Sequence, residues 1–294
     1  MSIRKSPGEK TFDTINIFFM LIMIVITLYP FLYVTAASLS EARQLIGHTG
    51  FMILPKGFSL SAYKMVLNNP NILTGYRNTL VVLIGGTALN ILMTSLGAYI
   101  LSRKSFALKK PLMLAIIFTM YFHGGMIPRY LLVNNTLNLK NSLLALILPT
   151  AIMTWNLIVL RTAFMSVPDS LEESARIDGA NDFVILFRIV IPVSLPSMAV
   201  MVLFYGVHHW NAWFDAMIFL RERSLYPLQL ILREILVLSS TDSMMIDAGG
   251  QDREAIGESI KYATILVATV PILLIYPSVQ KYFVKGIMIG ALKG

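Results

Sequence analysis

Six stretches of this chain contain no Asp, Glu, Lys or Arg over the length of a bilayer core, and that property limits the fold more than any other. They cover residues 14–39, 78–102, 111–128, 141–160, 189–214 and 262–280. About 20 helical residues cross a hydrocarbon layer of roughly 30 Å. A segment alone in lipid must satisfy its own backbone hydrogen bonds, so each run is expected to be helical. An even number of spans returns the C-terminus to the side of the N-terminus. The expected organisation is an all-α transmembrane chain with a short N-terminal segment (1–13) and one membrane domain (14–294). Its spans fall near 14–39, 78–102, 111–128, 141–163, 196–219 and 261–281. A polar loop at 165–195, an outer loop at 220–260 and a tail at 282–294 complete the plan.

Composition agrees, with 56% apolar and 14% charged residues, about half the charged share of an average globular domain. No Cys is present and the four His have no HxxxH or HExxH spacing, so disulfides, a thiolate nucleophile and a metal site have no ligands here. The net charge of +8 sits in short clusters beside apolar runs, as juxtamembrane anchors do. Lipid rather than nucleic acid is the expected partner. The N-terminal apolar run is too long for a signal-peptide core and reads as a retained first span. Basic residues near span ends (Arg4, Lys5, the Arg103–Lys104 and Lys109–Lys110 pairs, Arg161, Arg176, Arg188, Lys281) assign one side to the cytoplasm, with both termini. The opposite side carries Ser40 to Arg77, with a short helix expected over Ser61 to Leu67. It also carries Arg129 to Lys140 and a mixed-charge segment from Asp215 to Lys261, with an amphipathic helix expected over 228–238. Proline in or beside spans, Pro149, Pro192 and Pro196 among them, can kink helices or mark their ends.

The polar interruption VPDSLEESARIDGANDFVILFRIVIPVSLP (residues 167–196) reads as two small helices. Ser170 stands three residues before Glu173, the spacing of a capping box. Helix is expected over Leu171 to Asp178, ended by Gly179 in a left-handed conformation. Asn181 or Asp182 can cap a second helix over Phe183, Val184 and Phe187. An element of this shape suits the docking of a soluble partner; an amphipathic connector lying on the membrane surface is the plainer alternative.

Glu173-Ser174-Ala175, three residues, Gly179, nine residues, then Ile189-x-Ile191-Pro192 resembles the E-A-A-x3-G-x9-I-x-L-P signature of ABC importer permeases. Ser174 replaces an Ala and Ile191 a Leu. ARIDGAN, GGMIPRYLLVNNTLNLKNSLLALILP, HWNAWFDAM and the terminal KGIMIGALKG are similar to the carbohydrate-uptake branch. The nearest type is the maltose-type second subunit, in a subgroup labelled for polysaccharide fragments such as aldouronates. The resemblance implies a six-helix type I importer fold in the bacterial inner membrane. Its partners would be a second homologous permease, two ATP-binding-cassette ATPase subunits, an extracytoplasmic sugar-binding protein and a sugar or oligosaccharide substrate. It implies ATPase coupling through Glu173, Ser174, Ala175, Asp178, Gly179, Ile189 and Pro192, with the tail (285–294) as an extended second contact. The sequence holds no G-x-x-x-x-G-K-[ST] loop, so no cofactor is expected on this chain, and ATP and Mg2+ belong to the ATPase partners.

Sugars offer hydroxyls and C–H faces, so their route wants aromatic and amide side chains together. Tyr205, His209, Trp210, Asn211 and Trp213 are the candidates, with Asn90 and Asn156 as weaker ones. Positions 206, 209, 210 and 213 would share a helical face. An interfacial aromatic belt accounts for Trp213 equally well, and a satisfied packing residue accounts for His209. Other function classes remain: an ABC permease for a non-sugar solute such as peptide, or an ion-driven transporter. The latter wants charges inside spans, and the runs hold none.

Overall fold

Leu, Ile, Val, Met and Phe fill segments too long to bury in a soluble core, and the computed structural model makes helices of them. It describes residues 6–46, 48, 50–237 and 250–291. The helices are α1 (Pro7–Ser38), α2 (Ala42–Ile46), α3 (Ser61–Asn68), α4 (Pro70–Ser102), α5 (Lys109–Tyr121), α6 (Met126–Leu131), α7 (Leu144–Ile147) and α8 (Thr154–Met165). They continue as α9 (Asp169–Ile177), α10 (Asp182–Ile185), α11 (Ile191–Val193), α12 (Leu195–Asn211), α13 (Phe214–Phe219), α14 (Leu228–Val237) and α15 (Gly250–Ala291). Among the described residues the only strand-like pairing is one bridge, Ser40 to Phe58.

The chain divides into two compact units where a single domain is the sequence expectation. One comprises Met1–Asn69 with Glu234–Val270, the other Pro70–Arg233 with Pro271–Gly294. In the first, Ala36, Ala37, Leu45 and Met52 form a small core, and Tyr33 packs edge-on against Tyr262 with centroids 5.9 Å apart. Its first helix starts at Pro7, seven residues ahead of the expected span. Ser6 and Glu9 form a reciprocal capping box there, with Pro7 in the first turn.

In the second unit α4, α8 and α12 pack together around Tyr99, Leu157, Leu160, Phe164, Met201 and Tyr205. Polar side chains of α4 turn inward and find partners, as polar groups in lipid must. Asn78 donates to the carbonyls of Ser224 (2.8 Å) and Tyr226 (3.1 Å), and Thr79 accepts the Leu228 N–H at 2.9 Å.

Among the described residues, three helices are long and apolar enough to cross a bilayer alone, and up to six spans result if each of three bent pairs counts as one. The six expected spans thus correspond to three unbroken helices and three bent pairs. Residues 109–136 turn by 111° after Tyr121, where Phe122 is extended and Gly125 has φ +83. Residues 144–165 bend by 51° just beyond Pro149, and 182–211 bend by 89° at Ser194, between Pro192 and Pro196. The fifth expected span (196–219) also breaks, because α12 ends at Asn211 and Ala212 is extended.

The short helices α3 and α14 form where expected. α15 begins at Gly250, inside the segment read as loop (220–260), and continues through Ala291, so the tail read as extended is helical. Gln251, Arg253, Glu254 and Ala255 are good helix formers, which a count of polar residues does not register. The rest of the polar stretch, residues 239–249, lies outside the described residues, as do 292–294 of the tail.

Candidate functional site

Residues 166–194, between α8 and α12, form an elbow. Its first helix starts two residues early: Pro168 is the N-cap and makes no side-chain cap bond, so Ser170 lies within α9 and the Ser170–Glu173 capping box is not made. Proline fixes the entry geometry, and Asp169 in the first turn complements the helix dipole. The far end follows the expectation. Gly179 has φ +83, and Ala180 N–H reaches the Ala175 carbonyl (2.9 Å) while Gly179 N–H reaches that of Arg176 (3.0 Å). These two bonds are a Schellman cap, which needs a residue that tolerates the left-handed region. Asn181 then caps α10 by accepting the Val184 N–H at 2.9 Å.

Glu173, Ser174, Ile177 and Asp178 form an exposed face, with Ile177 at 86% exposure. Ala175 turns inward, with Ala180, against the core built on α4, α8 and α12. Its small size therefore serves the internal joint rather than that outer face. Ile185, Leu186 and Val190 are buried, Ile189 is half-buried and Pro192 is exposed. A π-turn over Leu186–Val190 precedes Pro192, whose missing N–H leaves the helical ladder one donor short.

The elbow is tied to the ends of α4 and α8 by charge. Arg103 donates to the Phe164 carbonyl (3.0 Å) in the last turn of α8, and Arg161 donates to the Leu101 carbonyl (2.9 Å) in the last turn of α4. Each helix thus supplies a guanidinium to the negative end of the other. Arg103 also pairs with Glu172 on α9, bonds Ser102 Oγ at 2.9 Å and lies over the Tyr99 ring at 4.8 Å. Tyr99 donates to Asp182 (3.2 Å), which also pairs with Arg176, and Lys104 pairs with Asp169. Burial pulls Arg103 below the usual guanidinium range, opposed by Tyr99 and the nearby carboxylates. The hydrogen bond between Lys104 and Asp169 raises the ammonium pKa and lowers the carboxyl. A mixed-charge cleft of about 470 Å³ opens beside α9, lined by Arg103, Lys104, Lys109, Asp169, Glu172 and Arg176 among others.

The candidate path residues separate into two groups. Tyr205 is fully buried; its hydroxyl bonds Thr94 Oγ1 at 2.6 Å and accepts the Met153 N–H at 3.2 Å. His209 is 2% exposed, with Nε2 2.6 Å from Asn90 Oδ1, and Asn90 in turn donates to the Thr150 carbonyl. Gly86 makes room for that imidazole, since a Cβ there would lie 2.5 Å from Nε2. Trp210 is buried against Tyr76, edge-on at 6.3 Å. Asn211 is exposed and donates to the Val207 carbonyl at 2.9 Å. Trp213 lies beyond the helix end, not on the face of 209 and 210, and carries the Arg233 guanidinium 4.8 Å from its ring centroid. Asn156 is buried with its amide on Met153 sulfur. Arg103, Asn90 as the partner of His209, and Arg233 were not legible as site residues. Arg103 reads as one more anchor beside a span, and its spacing to Glu172 carries no motif.

The packed helices and the elbow define an integral-membrane transport subunit. Residues 105–289 match the family described as binding-protein-dependent transport system inner membrane component, and the chain belongs to it. It is 41% identical over 286 residues to the polygalacturonan/rhamnogalacturonan transport system permease protein YtcP of Bacillus subtilis, covering 97% of this chain and 99% of that one. It is 39% identical over 293 residues to the protein LplC of the same organism, covering 100% and 98%. Among solved structures it is similar to a chain of a bacterial ABC transporter involved in the import of the acidic polysaccharide alginate. That match has a TM-score of 0.86 and 30% identity, over 96% of this chain and 100% of that one.

Proposed function

We propose that this chain is the permease subunit of an ATP-driven importer that brings an oligosaccharide, with uronate-containing fragments the preferred class, across the bacterial inner membrane. Two relatives are named for transport of acidic polysaccharides, and that supports the cargo. The observation that carries the coupling is the elbow: an exposed helical face held on a charged, buried footing at the ends of two spans. ATPase subunits would grip Glu173, Ser174, Ile177 and Asp178 from outside, with Gly179 setting the angle to α10. Ala175, Ile189 and Pro192 act behind that face, by joining the elbow to the spans. Both termini and the elbow then face the cytoplasm. ATP and Mg2+ reside on the ATPase partners, and this chain has no nucleotide site of its own.

A second, homologous permease completes the path, and a sugar-binding protein delivers cargo from outside. Closure of the ATPases on ATP would drive the two elbows together and open the cavity outward, and hydrolysis would reset it. Asn211 and Trp213 stay as path candidates, since they remain on the surface. Tyr205, His209 and Trp210 would shape the path from behind.

The test is uptake of trigalacturonate into proteoliposomes holding both permeases, the ATPases and the binding protein. Uptake should require ATP and vanish when the ATPases are withheld. Uptake without them, or an elbow labelled from outside intact cells, would sink the proposal. Uptake of a peptide in place of any sugar would sink the cargo alone.

A further inference from the structure

We propose that Arg103 is the positioning residue that makes the docking helix α9 move as one body with α4 and α8. The inference rests on the reading of α9 as the ATPase dock and names the joint that dock requires. A helix gripped from outside transmits motion only if it cannot rock on its own chain. The covalent links of α9 are a short bend at Ser166–Val167 and the glycine cap at Gly179. Both are joints rather than struts. The outward residues Ser174 and Ile177 are free for a partner, and the inward contact of Ala175 is a single methyl.

Arg103 supplies the buried strut, the Lys104–Asp169 pair beside it being exposed to water. Its side chain is 13% exposed and that of Glu172 is 8% exposed, so the ion pair is shielded from water and salt. One guanidinium reaches three places at once: Glu172 on α9, the Phe164 carbonyl at the end of α8, and Ser102 at the end of α4. The planar fork makes this possible, and a point charge on lysine could not reproduce it. Arg161 closes the same joint from the other side. Force delivered to α9 therefore enters α4, a helix of 33 residues and about 50 Å. The opposite end of α4 is fastened to the 224–228 segment through Asn78 and Thr79. The rod is gripped at both ends.

The experiment uses the complete importer in proteoliposomes and exploits a permease without cysteine. Spin labels on Ser170→Cys and Ile100→Cys, both at exposed positions, report the distance between α9 and α4. One narrow distribution should persist with and without ATP, and Arg103→Met should broaden it. Arg103→Met and, separately, Glu172→Gln should keep the ATPases bound through co-purification. Uptake of trigalacturonate per ATP hydrolysed should fall at least about tenfold, with Arg103→Lys recovering part of it. The inference is overturned if the wild-type distance shifts through the ATP cycle, or if Arg103→Met couples as well as wild type. Should Arg103→Met fail to insert, Glu172→Gln and the wild-type distances decide. Failure of the ATPases to co-purify with the wild-type permease would remove the docking reading itself, an outcome separate from the other two.

Discussion

The elbow and the end of α12 both stand out by side-chain type and spacing, and the structure treats them oppositely. At the elbow the residues of the signature remain largely on the outside, and the groups that hold them lie elsewhere, on the ends of α4 and α8. At the end of α12, three of five candidates are interior posts, each with its own partner on α4 or α8. Aromatic and amide residues serve either purpose. The helix α9 meets the core on one side only, through Glu172 and Ala175, so the residues on its other side stay exposed. The helix α12, packed on α4 and α8, buries five residues, and among them are polar as well as apolar side chains.

That contrast can be broken by substitution. The largest effect should come from Gly179→Val: a β-branched residue at φ +83 is strained although the surrounding space is open. Nearly all ATP-driven uptake should be lost while the permease still inserts, and Gly179→Asp should act in the same direction. Normal uptake by either would detach the elbow from function. Gly86→Ala should instead act on the fold, by forcing a methyl into the His209 ring. A loss of about 1–3 kcal/mol is expected in detergent unfolding; an unchanged melting curve would mean the imidazole moves freely and can line a path.

Tyr205→Phe removes the acceptor of the Met153 N–H and should cost about 1–2 kcal/mol, with the KM for uptake unchanged. A raised KM at unchanged stability would return Tyr205 to the substrate path. Asn211→Leu and Trp213→Ala should do the reverse, raising KM several-fold with stability intact; no change in either variant would remove both from the path. Smallest of all is Asp169→Asn. The Asp169 carboxyl is depressed by Lys104, so any stabilisation is present above the ordinary carboxylate value and is lost as pH falls through the depressed folded value. Its melting temperature should match wild type between pH 5 and 8, the exposed pair being screened.

How far the fold was legible follows from the same physics. The need to satisfy backbone hydrogen bonds in lipid made helices of the six charge-free runs without any tertiary knowledge. Gly179 and Asn181 declared their caps because each is a local matter of one backbone conformation or one side-chain oxygen. The S-x-x-E spacing makes no cap at Ser170 and does make one at Ser6, since where a helix starts depends on which preceding residue leaves the helical region, here Pro168 and Ser6. The bend at 122–125 lies inside a charge-free run, and absence of charge says nothing of a four-residue break, whereas the bend at Ser194 falls where Pro192 and Pro196 mark a kink or a span end.

By itself, then, the order of residues decided that this chain spans a membrane in helical segments, where its polar elbow lies, and which glycine turns it. Those are consequences of solvent and of local backbone preference. Only the packed structure decided that Arg103 ties the elbow to two spans, that His209 answers to Asn90, and that the aromatic cluster is half scaffold. Contacts between residues sixty to over a hundred positions apart are set by how the helices meet, and no spacing along the chain encodes that meeting.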